Sequence, residues 1–113
     1  MSARARAALL LLFAAVAAAG NPDPRVIEIS AQKFAFAPDE VHLKAGRPVV
    51  FALRSLDRAH GFSIPDFGVR CDIPAHGTAR LEWVPPRAGR FAFECDVFCG
   101  SGHEGMNGAI VVE

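Results

Sequence analysis

Between Arg90 and Met106 a strand pattern runs directly into a cluster of metal-binding side chains, and together they restrict what this chain can fold into. In Arg90-Phe-Ala-Phe-Glu-Cys95 large apolar residues alternate with small or charged ones. Side chains alternate across a strand, so Phe91, Phe93 and Cys95 share a face, and the phenylalanines turn that face inward. Cys95 is therefore expected at the inner end of a buried strand. The following run, Cys95-Asp-Val-Phe-Cys99-Gly-Ser-Gly-His103-Glu-Gly-Met106, holds two thiols, an imidazole and a thioether within twelve residues. Such soft and borderline donors select copper over hard cations. Two cysteines so spaced can face inward from one loop and share a metal. Gly100, Gly102 and Gly105 let the loop fold tightly around a small centre.

A thiolate and imidazole site with a weak thioether donor needs one more imidazole, and His60 in Asp57-Arg-Ala-His-Gly-Phe-Ser-Ile64 is the candidate. It precedes Cys95 by thirty-five residues, so a different strand or loop must deliver it. Met106 is the one methionine besides the initiator, and its place after His103 favours ligation over core filling. His42 fits the pattern of an edge strand and His76 a turn after Pro74; neither is expected to bind metal. Cys71 is expected as a small half-buried strand residue, with a disulfide or a third thiolate ligand as its alternatives. Three cysteines are an odd number, so paired disulfides cannot account for all of them. Phe62 and Phe98, beside the candidate ligands, are expected to limit solvent access to them.

The rest of the chain reads as strands. Val26, Ile27 and Ile29 open one, and Val41 and Leu43 alternate in another. Lys44-Ala-Gly-Arg47 is a turn, after which Val49, Phe51 and Leu53 share a face. Leu81 and Trp83 alternate with Arg80 and Glu82, Pro85-Pro86-Arg-Ala-Gly89 ends that run, and Ile110-Val-Val begins a last strand. Short strands with turn signals at such intervals indicate an all-β sandwich or barrel. No helical periodicity is visible beyond the first residues.

The first nineteen residues differ from the rest. Arg4 and Arg6 precede an apolar run from Ala7 to Ala19 that ends in small residues. This is the pattern of a secretory signal peptide, and the run is short for a spanning helix, which needs roughly 20 apolar residues. The expected organisation is a signal peptide over 1–19, a stiff lead-in over 20–25 and one domain over 26–113, exported and without a membrane span after cleavage. An uncleaved N-terminal anchor is the alternative. The whole chain carries twelve basic and twelve acidic residues, scattered singly. No basic stripe or basic-aromatic patch suggests a nucleic acid.

On these residues the chain resembles the cupredoxins, and in particular the CuA domain of cytochrome c oxidase subunit II and of nitrous oxide reductase. The resemblance runs from Val26 to Glu113. It includes Lys33-Phe-Ala-Phe36, His60-Gly-Phe62, Phe67-Gly-Val-Arg-Cys-Asp-Ile-Pro74 and Gly108-Ala-Ile-Val-Val-Glu113. The spacing Cys-x3-Cys-x3-His-x2-Met is specific to that binuclear site, whereas blue-copper relatives carry a single cysteine. The resemblance implies a Greek-key β-sandwich and a centre of two copper ions bridged by the sulfurs of Cys95 and Cys99. It also implies that His60 and His103 each bind one copper, with Met106 a weak axial ligand to one and the Val97 carbonyl axial to the other. The oxidase pattern has a glutamate at the Val97 position that also serves a magnesium site; valine leaves only the carbonyl role. Oxidase subunits further carry a transmembrane hairpin and an aromatic cluster for electron entry, while this chain has a signal-like segment, no tyrosine and one tryptophan, Trp83.

The expected function is that of an exported electron carrier, exchanging single electrons with a redox partner such as a cytochrome c or a terminal oxidase. No nucleophile-base-acid arrangement suggests catalysis in its own right. A copper carrier or buffer would use the same ligands with more exchangeable binding. A structural zinc or disulfide domain would use the cysteines and histidines and leave Met106 unexplained.

Overall fold

A computed structural model describes residues 24–113; the signal-like run and the lead-in through Asp23 lie outside the described residues. The chain forms β1 (Arg25–Gln32), β2 (Ala35–Ala37), β3 (Glu40–Leu43), β4 (Val49–Ser55), β5 (His60–Ile64), β6 (Val69–Ile73), β7 (Thr78–Trp83), β8 (Gly89–Glu94) and β9 (Asn107–Val112). The alternation seen in the sequence decides their faces. Ile27, Ile29 and Ala31 of β1 point inward, as do Val49, Phe51 and Leu53 of β4 and Phe91 and Phe93 of β8. Helical structure among the described residues is limited to the short 3-10 turns Pro65–Phe67 and His103–Gly105. None of these is long and apolar enough to cross a membrane.

The strands make two sheets, one ordered β2-β1-β4-β7 and the other β3-β9-β8-β5-β6. Parallel pairing joins β1 to β4 and β3 to β9, while the other neighbours are antiparallel. Parallel neighbours cannot be joined by a hairpin, so the chain passes repeatedly from one sheet to the other. The link from β4 to β5 is one such passage. It carries Leu56 to Ala59 over the end of the sandwich where the β1–β2 turn and the β8–β9 loop also lie. His42 lies on β3, at the edge of its sheet, and His76 in the turn between β6 and β7, both as expected.

The core between the sheets is aromatic at its centre. Phe36 and Phe51 from one sheet meet Phe62 and Phe93 from the other. Phe62 stands 6.0 Å from Phe36, 5.1 Å from Phe51 and 5.2 Å from Phe93, centroid to centroid. These are favourable offset and edge-on distances for rings. Phe62 is two residues beyond His60, and Phe93 two before Cys95, so this packing sets the height and facing of both candidate ligand segments. Replacing Phe62 by alanine is expected to lower unfolding free energy by about 3–5 kcal/mol, read from urea denaturation.

Candidate metal centre

Strand β8 delivers Cys95. Phe91, Phe93 and Cys95 all face inward, and the thiol residue is only 3% exposed. The chain then loops outward and returns. The Cys95 N–H donates to the Met106 carbonyl at 3.1 Å, so the loop carrying the candidate ligands starts and ends at one point. Within it the His103–Gly105 turn brings His103 back under Cys99, and Cys99 and Met106 are buried. His60 opens β5 on the neighbouring strand and is likewise buried.

These elements bring all the sequence-selected residues together. The Cys95 and Cys99 sulfurs are 3.6 Å apart, far longer than a disulfide bond of about 2.05 Å. His60 Nδ1 lies 3.9 Å from the Cys95 sulfur and His103 Nδ1 lies 3.5 Å from the Cys99 sulfur. The Val97 carbonyl oxygen is 3.2 Å from Cys95 Sγ, and Met106 Sδ is 3.8 Å from Cys99 Sγ. The ligand atoms of His60, Cys95 and Cys99 fall within 4.8 Å of one another. Sulfur, imidazole and thioether donors converging at this spacing fit a soft metal such as copper. Cys71 is a half-buried residue of β6 with a free thiol, and it pairs across the strands with Phe62.

Burial shapes the protonation of this site. It pushes the Cys99 thiol up to about 11, helped by the neighbouring Cys95 sulfur, and pushes Cys71 up as well. A bound cation would reverse that preference at Cys99, since a coordinated thiol gives up its proton.

Three supporting residues escaped the sequence reading. Asp57 Oδ1 lies 2.6 Å from His60 Nε2, so the carboxylate holds one ring nitrogen and aims the other at the sulfurs. Partial burial pushes the Asp57 carboxyl up, but hydrogen bonds from the Lys33 N–H, the His60 ring and the Arg58 N–H outweigh it and leave it at about 2. The spacing Asp57-Arg-Ala-His60 was the available signal. The Gly61 N–H donates to the Cys95 sulfur at 3.5 Å. Arg70 on β6 donates through both Nε and Nη2 to Asp96, holding that carboxyl below its ordinary value and pinning the residue after Cys95 to the sheet. Asp96 is thus a paired carboxylate.

The expectation for Phe98 is overturned. Phe62 is fully buried, but Phe98 is 74% exposed, its ring 5.9 Å from that of His103. In the loop after β8 it is the adjacent Cys99 that occupies the interior.

Two β-sheets closed over an aromatic core, with a soft donor cluster where one end of the sandwich is capped by loops, define a class of small metal-binding β-sandwich. The comparisons place the chain within it: residues 5–112 match the Cupredoxin-like domain family, and the protein belongs to that family. Cytochrome c oxidase subunit 2 of Thermus thermophilus is 27% identical over 93 residues, covering 82% of this chain and 69% of the relative. Nitrous-oxide reductase of Cupriavidus necator is 33% identical over 91 residues, covering 77% of this chain but 14% of the enzyme. The periplasmic domain of subunit II of cytochrome oxidase from Bradyrhizobium japonicum superposes with a TM-score of 0.72 at 18% identity, covering 81% of this chain and 86% of that domain.

The position of Gly61 carries a prediction. A Cβ there would strike the Asp96 carboxylate and approach Val97 Cγ2 to 3.0 Å. Gly61→Ala is expected to cost about 1–3 kcal/mol of stability, measured by urea unfolding, because the Arg70–Asp96 clamp must give way.

Proposed function

We propose that this protein is an exported electron carrier with a binuclear, CuA-type copper centre. Cys95 and Cys99 would hold both ions through their sulfurs, His60 and His103 would each supply an imidazole, and Met106 and the Val97 carbonyl would be the weaker donors. The observation that carries the reading is the sulfur pair at 3.6 Å with one imidazole nearest Cys95 and the other nearest Cys99. A single tetrahedral ion uses four donors, and six groups are gathered here. When bound, the copper pair supplies a one-electron couple whose charge change is spread over two ions and two sulfurs.

The chain's own residues keep rearrangement small. Asp57 holds the His60 ring, the Gly61 N–H supports the Cys95 sulfur, and Arg70 with Asp96 anchors the loop's first residue. Export rests on the N-terminal segment, and a redox partner such as a cytochrome c or terminal oxidase rests on the relatives being oxidase subunits and a reductase.

Metal analysis of purified protein is expected to give two coppers per chain, and paramagnetic resonance an electron coupled to both nuclei. Cys95→Ser or Cys99→Ser should abolish that signal; one copper with an ordinary blue-copper spectrum would reject the binuclear centre. Asp57→Asn removes the charge that orients His60. It is expected to weaken copper retention by about 10–100-fold in competition with a chelator.

A further inference from the structure

The turn between β1 and β2 reaches both imidazole-bearing segments. Lys33 and Phe34 form it, between Gln32 and Ala35, which are register partners. On one side the Lys33 N–H donates to Asp57 Oδ2 at 2.8 Å, and the other oxygen of that carboxylate holds His60. On the other side the Phe34 ring lies against the backbone of Gly100 and Gly102. Phe34 stands apart from the aromatic core, remains 36% exposed, and has the ligand loop beneath its ring.

Gly102 shows how closely the ring is seated. Its φ of −94° and ψ of 7° are open to any L-residue, so its backbone does not require glycine. A Cβ there would nevertheless run into the Phe34 ring. At Gly100, where φ is +137° and glycine is favoured anyway, a Cβ would come within 2.9 Å of the same ring. The bare backbone between Cys99 and His103 is thus a seat for Phe34.

We propose that Phe34 is a positioning residue that holds the Cys99–His103 loop closed, so that the site's donors are already gathered before any metal arrives. The benefit to copper binding rests on the function proposed above, but the closure itself belongs to the metal-free protein and is tested there. The reduced, metal-free chain is labelled with iodoacetamide, and each cysteine is followed separately by peptide mass spectrometry. Phe34→Ala is expected to speed labelling of Cys99 at least about tenfold, as a loop that opens locally would. Cys71, half-buried on β6 and not part of the Cys99–His103 stretch, should keep its rate, and Phe34→Tyr should restore protection of Cys99. An unchanged rate at Cys99, or an equal rise at all three cysteines through general loosening, would overturn the proposal. Gly102→Ala supplies a second route, since it should expose Cys99 in the presence of Phe34 and add little once Phe34 is alanine. Strictly additive effects of the two changes would also overturn it. Failure of the protein to take up copper would sink the functional reading while leaving the labelling pattern intact.

Discussion

The hydrogen bond from the Cys95 N–H to the Met106 carbonyl closes a loop whose contents would otherwise be strung along the surface. Strand β8 enters that loop with its inward face occupied by Phe91 and Phe93, and β9 leaves it packed by Ile110 and Val112. Because both flanks are fixed in one sheet, the loop's sulfurs are driven inward over the core. Close-packed interiors move little, so the position of Cys95 inherits the rigidity of the phenylalanines beneath it. His60 arrives on β5, the next strand in the same sheet, and its distance to the sulfur is set by strand spacing.

Burial has an electrostatic consequence. Burial and the adjacent Cys95 sulfur, 3.6 Å away, hold Cys99 protonated well above the ordinary thiol range, and the opposing pull of Arg58 does not offset them. The proposed copper ions would displace that proton, so metal uptake and proton release are coupled. Two carboxylates beside the sulfurs are paired: Asp57 meets His60 and Asp96 meets Arg70. These pairs help to orient the donors.

Much of the fold was legible because period-two alternation is a local property. The inward faces of β1, β4, β7 and β8 follow from which residues are apolar, and each strand appears where its pattern lies. The donors of the loop were legible for a similar reason, since Cys95, Cys99, His103 and Met106 occupy one short stretch. His60 was reached only by asking what the site lacked. Asp57, three residues before His60, was within reach of a local reading, whereas Arg70 escaped because its partner's identity depends on contacts across the chain. Arg70 and Asp96 are far apart in sequence yet share two hydrogen bonds.

By itself, the amino-acid sequence determined the strand-rich class, the inward face of β8 and the chemical softness of the donor set. Those depend on residue type and near-neighbour spacing. Only the tertiary structure decided that His60 stands beside Cys95, that Phe98 points to solvent, and that the Lys33–Phe34 turn reaches Asp57 and the glycines of the loop. Such juxtapositions arise when parallel pairing carries the chain from sheet to sheet and gathers distant loops at one end. No spacing within a single segment encodes them.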